Sequence, residues 1–176
     1  MDKAVLRVMK AIEQKETVAI FGDYDVDGAT SVSQLSDYFA ALGVRSIPYI
    51  PDRMKEGYGP NSAAFDTLIA KGSTLILTVD CGTLAFAPIA HAAAKGVDVI
   101  VVDHHIGEAQ LPQAVAVVNP NRVDELSPHT NLCAAGVVFL LLVALNKALR
   151  ESGYFNDTRP EPNLLPMLDR VALGTV

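Results

Sequence analysis

The sequence predicts an α/β fold with a parallel, five-stranded, Rossmann-like sheet and helices on both faces. Short apolar runs alternate along the chain with stretches whose apolar residues recur at helical spacing. This alternation is typical of parallel sheets with right-handed crossovers. Half of the 176 residues are hydrophobic and the mean hydropathy is +0.27, which suits strands buried on both faces. The length allows one domain with a sizeable core.

Turn residues bound the predicted strands, and two examples are Pro51 and the pair Asn119-Pro120. Three polar stretches are predicted as loops: a glycine-rich one over 52–60, one that runs from the fifth strand to about residue 131, and one over 152–162. The five apolar runs predicted as strands are residues 17–21, 44–50, 74–79, 97–102 and 115–118.

Apolar residues at helical spacing predict six helices. The second is expected to open after Gly28 and to end at Gly43, and the third to be capped by Asn61 or Ser62. In the first helix, the apolar face is expected to hold Val5, Leu6, Val8, Met9 and Ile12. The predicted helices cover residues 1–15, 28–43, 61–72, 85–95 and 134–151, and a last one begins near residue 163.

Composition narrows the class of protein. The net charge of −6 argues against a large nucleic-acid surface on this chain, because such surfaces are usually basic. No apolar run reaches the roughly 20 residues that a membrane span needs, and the N-terminus lacks the layout of a signal peptide. Cys81 and Cys133 form no spacing motif. Two reduced thiols in a cytoplasmic protein are therefore expected.

Acidic and imidazole side chains follow three of the predicted strands. Asp23, Asp25 and Asp27 come after the first strand, Asp80 after the third, and the run Asp103-His104-His105 after the fourth. Because ligands of such sheets bind outside the carboxyl ends of the strands, all three clusters are predicted on one edge. A divalent cation would relieve the repulsion between carboxylates spaced this closely. The alternative is a solvated acidic turn that caps the next helix.

The arrangement suits two-metal phosphoryl chemistry, in which one ion activates a water and the other neutralises charge on the phosphate. Asp25 and Asp27 could face one ion or straddle two, and Asp80 and His104 would add ligands from neighbouring strands. Because carboxylates dominate the cluster, Mn²⁺ or Mg²⁺ is expected rather than zinc. Cys81 is interpreted as a small buried residue beside Asp80.

The sequence indicates less specific roles for the other three histidines and for Asp103. His105 is placed to contact a phosphate or a leaving oxygen, and its alternative role is a hydrogen bond to a ligand residue. Asp103 could orient a histidine by accepting its second ring N–H. His91 and His129 are assigned to solvent or to local hydrogen bonds.

The glycine-rich loop offers candidates for binding a substrate. Arg53, Lys55 and Tyr58 could clamp a phosphate and stack a base, or they could belong to a solvated surface loop. Ser31, which ends the first acidic stretch, is a further candidate for substrate contact.

Several motifs resemble a known superfamily. Residues 22–28 (Gly-Asp-Tyr-Asp-Val-Asp-Gly), 79–82 (Val-Asp-Cys-Gly) and 103–105 (Asp-His-His) resemble the first three motifs of the DHH phosphoesterases. Within that superfamily, the chain is most similar to the RecJ-type family of single-strand-specific 5′→3′ DNA exonucleases. Further resemblance to that family lies in residues 50–61 after the second strand, in 132–139 and in 168–176.

The resemblance implies a DHH catalytic domain over residues 1–176. Such a domain would bind two Mn²⁺ or Mg²⁺ ions and hydrolyse single-stranded DNA in recombination and repair. His105 would contact the scissile phosphate, and Asp23 would act as a ligand or as a hydrogen-bonding group. Transferred by motif, the metal ligands would be Asp25, Asp27, Asp80 and His104.

The sequence departs from the family pattern at two places. Phe21 stands where many members have a histidine, and phenylalanine cannot bind a metal. The family pattern continues beyond Val176 to a last catalytic aspartate and a C-terminal substrate-binding domain. The chain is therefore expected to be a fragment that folds but is weak or inactive as a nuclease.

Two alternatives remain open on sequence grounds. One is another phosphohydrolase of the superfamily, acting on short oligonucleotides, cyclic dinucleotides or pyrophosphate, and the loop over 50–61 argues against it. The other is a non-catalytic binding module, and the retained acidic and imidazole residues argue against that. Repair proteins are candidate partners of a longer parent protein, but the sequence names none.

Overall fold

The computed structural model describes residues 1–176, and its centre is a parallel sheet of five strands in the order β2-β1-β3-β4-β5. β2 and β3 lie on opposite sides of β1, so the direction in which successive strands are added to the sheet reverses between β1 and β3. Ligands of open α/β sheets bind at such a switch point. The strands are β1 (Thr17–Gly22), β2 (Ser46–Tyr49), β3 (Ser73–Val79), β4 (Asp98–Val102) and β5 (Ala116–Val118).

Helices cover both faces of the sheet, which confirms the predicted fold class. Along β1 the side chains alternate, so that Val18 and Ile20 join a core with α1, α2 and α6, while Ala19 and Phe21 join a second core with α4 and α5. None of the helices combines the length and the apolarity that a membrane crossing requires. The helices are α1 (Asp2–Glu13), α2 (Val26–Ala41), α3 (Arg53–Glu56), α4 (Ser62–Ala70), α5 (Phe86–Ala94), α6 (Ala134–Glu151) and α7 (Leu168–Thr175).

The start of α2 differs from the prediction. The helix begins at Val26 rather than after Gly28, because the Asp25 side chain caps it by accepting a hydrogen bond from the Gly28 amide at 2.9 Å. Gly28 serves close packing instead: a Cβ there would lie 2.4 Å from the carbonyl oxygen of Asp23. The turn between β1 and α2 therefore folds tightly back on itself.

Three other details of the prediction were wrong. The stretch 52–60 is not entirely loop, since Asp52 caps the one-turn helix α3 by accepting from the Met54 amide. Leu6 is 66% exposed because it lies off the face of α1 that carries Val5 and Val8. The last helix, α7, starts at Leu168 instead of near residue 163, after a 3₁₀ turn that contains a proline.

A network of ion pairs closes the amino edge of the sheet. Arg7 on α1 donates to Glu16 at 2.8 Å and to Asp98 at the start of β4 at 2.5 Å. Glu16 also accepts from the Thr74 hydroxyl at 2.6 Å. Burial alone would raise the pKa of Glu16, but the hydrogen bonds from Arg7 and Thr74 hold it below its usual range.

The lowered pKa of Glu16 makes its contribution to stability depend on pH. A carboxylate whose pKa is lower in the folded state stabilises the fold above its unfolded pKa and loses that effect as the pH falls. Glu16→Gln should lower the melting temperature at pH 7 by about 2–4 °C, for a loss of about 1 kcal/mol. The difference from wild type should shrink toward pH 3. Scanning calorimetry from pH 3 to 7 measures this, with the exposed neighbour Glu13→Gln as control. A difference that is constant with pH would contradict the prediction.

Candidate functional site

The strand order brings the three predicted clusters together outside the carboxyl ends of β1, β3 and β4. Ligand atoms of Asp80, His104 and His105 all lie within 4.8 Å of one another, and those of Asp23, Asp25 and Asp80 do so as well. A cavity of about 320 Å³ opens between them toward α6 and α7. Asp80 belongs to both groups and stands at their centre.

Asp80 is the most constrained residue of the cluster. Its side chain is buried, at 1% exposure, and neither carboxylate oxygen has a hydrogen-bond partner in the structure. Its φ of +59° is a left-handed conformation that is uncommon for residues other than glycine. Burial raises the pKa of Asp80 to about 7, with the nearby carboxylates Asp27 and Asp25 adding to the rise and His104 opposing it. An unpartnered buried carboxylate is costly unless another group satisfies it.

His104 points a ring nitrogen at these carboxylates. Its Nδ1 lies 3.1 Å from the carbonyl oxygen of Leu132, and in the neutral ring this contact makes Nδ1 the donor. The Nε2 lone pair then faces Asp80 Oδ1 at 3.2 Å and Asp27 Oδ2 at 3.6 Å. A proton on Nε2 would be stabilised by Asp80, which raises the pKa of His104. Either that proton or a bound cation would remove the repulsion between the lone pairs of His104 and the two carboxylates. Metal-binding histidines commonly donate their other N–H to a backbone carbonyl in this way.

Asp27 is held by the start of a distant helix. Its two oxygens accept hydrogen bonds from the amides of Ala134 and Ala135 at 2.7 and 2.8 Å, at the N-terminus of α6. These amides lack helical partners and carry the positive end of the helix dipole. The alternative of a solvated acidic turn is thus right for Asp25, which caps α2 and is exposed, but not for Asp23 and Asp27. Asp23, Asp27 and Asp80 are all buried.

Asp103 and His105 form a tight pair beside the cluster. Asp103 Oδ1 lies 2.7 Å from His105 Nδ1, as expected for a carboxylate that orients the ring, and Oδ2 accepts from the amide and hydroxyl of Thr83. Burial works against ionisation, but these hydrogen bonds lower the pKa of Asp103 to about 2. The hydrogen bond to Asp103 in turn raises the pKa of His105 to about 9.

The glycine-rich loop reaches the same end of the sheet. The Arg53 guanidinium lies 5.2 Å from the centroid of the Tyr24 ring, and the Tyr58 ring makes edge-to-face contacts with Tyr24 at 6.4 Å and with His105 at 6.5 Å. Lys55 pairs instead with Asp52 at 3.0 Å. Arg53 and Tyr58 therefore lie beside the cluster, whereas Lys55 is engaged in the loop itself.

The structure does not bring every candidate to the site. Ser31 is fully buried in α2 and has no exposed surface, so its contact with a substrate stays a prediction. Phe21 packs between Tyr49 and Phe65 in the core. His91 hydrogen-bonds Asp66 at 2.7 Å and His129 is exposed, both as expected.

Sequence reasoning missed two asparagines that hold the histidine loop. Buried Asn119 donates to the Thr83 hydroxyl at 2.9 Å and to the His105 carbonyl at 2.8 Å, while Asn121 donates to the His104 carbonyl. Asn119 directly follows β5. The strand-end rule that singled out Asp80 could therefore have found it.

Fold and site together define an α/β protein with a candidate divalent-cation site at the switch point of a parallel sheet. Residues 17–175 match the N-terminal domain of the DHH family. The chain belongs to the DHH family, and the resemblance noted in the sequence is confirmed.

The chain is similar to RecJ exonucleases in sequence and in structure. It is 41% identical over 178 residues to the single-stranded-DNA-specific exonuclease RecJ of Salmonella typhimurium, covering 100% of this chain and 31% of that relative. The crystal structure of exonuclease RecJ bound to manganese matches 98% of this chain and 41% of its own, with 36% identity and a TM-score of 0.82. RecJ in complex with Mn²⁺ from Thermus thermophilus matches 99% of this chain and 23% of its own, with 33% identity and a TM-score of 0.75. The chain thus spans about a third of the length of the curated relative it matches.

Removing the Asn119 side chain should loosen the histidine loop. Asn119→Ala leaves the His105 carbonyl without its donor, and an unsatisfied buried group costs about 1–3 kcal/mol. We expect a melting temperature lower by several degrees and shifted imidazole NMR signals of His105. The matched control is Asn131→Ala, at an exposed position that lines the carboxylate cavity together with His105. Unchanged His105 signals would show that Asn119 does not position the ring.

Proposed function

We propose that this chain is the metal-binding catalytic domain of an exonuclease that hydrolyses phosphodiester bonds of single-stranded DNA with 5′→3′ polarity. The observation that carries the proposal is Asp80, a buried carboxylate with two unpartnered oxygens in a left-handed backbone conformation. Such a group is costly in isolation and is well suited to a cation.

The donor set fits Mn²⁺ or Mg²⁺. Carboxylate oxygens outnumber imidazole nitrogens around the cavity, and hard divalent ions prefer oxygen ligands. Asp25, Asp27, Asp80 and His104 would hold the ions, with Asp23 within reach of the same group. Bound ions of this kind lower the pKa of a coordinated water and neutralise charge on a phosphate.

The other residues of the site would bind and orient the phosphate. Asp103 holds the His105 ring through Nδ1, which leaves Nε2 free to face a ligand. A protonated His105 would donate to a phosphate oxygen and stabilise its charge. Asn119 holds the backbone of His105 through its hydrogen bond to the His105 carbonyl. This contact would keep the ring in position when substrate binds.

Single-stranded DNA is the proposed substrate for two reasons. The relatives that match the whole chain are named single-stranded-DNA-specific exonucleases. Beside the cluster, Arg53 offers a cation for the backbone, and Tyr24 and Tyr58 offer aromatic surfaces for bases, as is usual for proteins that bind single strands. Because those relatives are about three times as long, we propose that the 176-residue chain supplies the ion-binding centre and only weak nuclease activity by itself.

Asp80→Asn tests the ion site directly. Asparagine tolerates the left-handed conformation and removes the buried charge, so the melting temperature without metal should stay equal or rise. Binding of Mn²⁺, measured by calorimetry, should weaken by a factor of about ten or more, and hydrolysis of 5′-labelled single-stranded DNA by a factor on the order of 10³.

The control for this substitution is Asp157→Asn, at an exposed position far along the chain from the cluster. EDTA should abolish any hydrolysis by the wild-type chain. Wild-type affinity for Mn²⁺ in Asp80→Asn would sink the proposal. Parallel assays with dinucleotides and pyrophosphate decide between an exonuclease and a phosphohydrolase of small substrates.

Arg53→Ala should weaken DNA binding without affecting the fold. The side chain stands on an exposed short helix, where packing demands are low. Loss of one phosphate contact should lower the salt dependence of single-strand binding by about 0.7 in the slope of log K against log salt. Fluorescence anisotropy of a labelled oligonucleotide measures it. The control is Arg45→Ala, which replaces an exposed arginine just before β2, at the amino ends of the strands. An equal effect of both substitutions would contradict a specific contact.

A further inference from the structure

A second cavity lies on the other side of His105. It measures about 840 Å³, within the range of about 300–1,000 Å³ that is common for small-molecule sites. Its walls come from the loop before α4, the turn from β3 into α5, and the segment after β4. His105 lines both this cavity and the carboxylate cavity, so the two cavities share this side chain as a common wall.

The second cavity is apolar where the first is charged. Tyr58 and Phe86 give it aromatic walls, and none of its lining residues is a lysine or arginine. Leu84 is 49% exposed and Ile106 is 84% exposed, which leaves apolar surface open to solvent at its rim. The one carboxylate, Asp103, is saturated by hydrogen bonds from Thr83 and the histidine loop. Apart from His105, which also lines the carboxylate cavity, no lining side chain offers a phosphate a positive charge, whereas a flat, uncharged ring finds surfaces to stack on.

We propose that this apolar cavity is a subsite for one nucleobase, that of the nucleotide next to the phosphodiester held at the carboxylate cavity. The inference rests on the proposed function, because it takes the phosphate to bind on the other side of His105. The side chains of Thr83 and Asp103 are already engaged with one another, so these two do not read the edge of the base. The subsite is therefore tolerant of sequence and prefers the larger ring of a purine.

The test compares ligands that share a phosphate and differ in the base. Calorimetry with the 176-residue chain and Mg²⁺ uses dAMP, dTMP and 2-deoxyribose 5-phosphate as probes. We expect dAMP to bind at least as tightly as dTMP and about ten-fold or more tighter than the sugar phosphate, since stacking of a base on aromatic side chains supplies that much affinity. Amide NMR signals of Gly59 and Ile106 should shift with dAMP and not with the sugar phosphate.

Substitutions at the rim locate the effect. Ile106→Ser and Leu84→Ser change exposed side chains and should preserve the fold, while reducing the advantage of dAMP over the sugar phosphate several-fold. Leu126→Ser, at a leucine that is 97% exposed and does not line the cavity, should leave that advantage unchanged. Equal affinities of dAMP and 2-deoxyribose 5-phosphate, no binding of dAMP, or an equal loss in Leu126→Ser would overturn the subsite.

The outcomes separate this inference from the proposed function. If Mg²⁺ and Mn²⁺ bind and both phosphates bind equally, the ion site stands and the base subsite falls. If neither ion binds but dAMP still shifts the signals of Gly59 and Ile106, the subsite stands and the proposed function falls. Because the test uses the 176-residue chain alone, no other part of a longer protein can cover the cavity. Unshifted signals of Gly59 and Ile106 therefore count against the subsite.

Discussion

Mutual repulsion between carboxylates is the constraint on which this end of the molecule depends. Asp23, Asp27, Asp80 and Asp103 are all buried outside the same edge of one sheet, where charges are poorly screened. The fold compensates three of them with donors. The N-terminus of α6 supplies two amides to Asp27, the histidine loop and Thr83 surround Asp103, and the Tyr24 amide donates to Asp23 at 2.8 Å. Asp80 receives no such donor, so its charge is the least compensated of the four.

The compensation couples distant parts of the chain. Asp27 lies at the start of α2 and its partners lie more than a hundred residues later at the start of α6. The small residue Gly174 completes this contact, because a Cβ there would lie 2.9 Å from Asp27 Oδ1. Packing of α2, α6 and α7 is therefore set by a charged group at their ends as well as by the apolar core between them. At the opposite edge, Arg7 plays the complementary part by joining α1 to the starts of β3 and β4.

Most of the fold and the core of the site were readable from the sequence, for identifiable reasons. Apolar runs with helical stretches between them gave all five strands, and the strand-end rule placed Asp25, Asp80 and His104 on one edge. Several of the errors share a cause, which is local capping and close packing that the periodicity of apolar residues does not show. Asp25 and Asp52 start helices earlier than the apolar pattern does, and Gly28 looks like an opening residue although backbone contact requires it. The burial of Ser31 was not predicted, because its position near the acidic stretch does not show which face of α2 it occupies.

The position of His105 gives the site its asymmetry. Its ring is held by Asp103 and its backbone by Asn119, and its side chain lines both cavities. Carboxylates and His104 lie on one side of His105, and apolar and aromatic side chains lie on the other. The carboxylates favour cations on the first side, whereas the apolar and aromatic walls of the second side favour an uncharged ring. In the proposed binding mode, the phosphate of a nucleotide lies with the bound cations on the first side and its base on the second, so that His105 sets the direction of the nucleotide across the carboxyl ends of the strands.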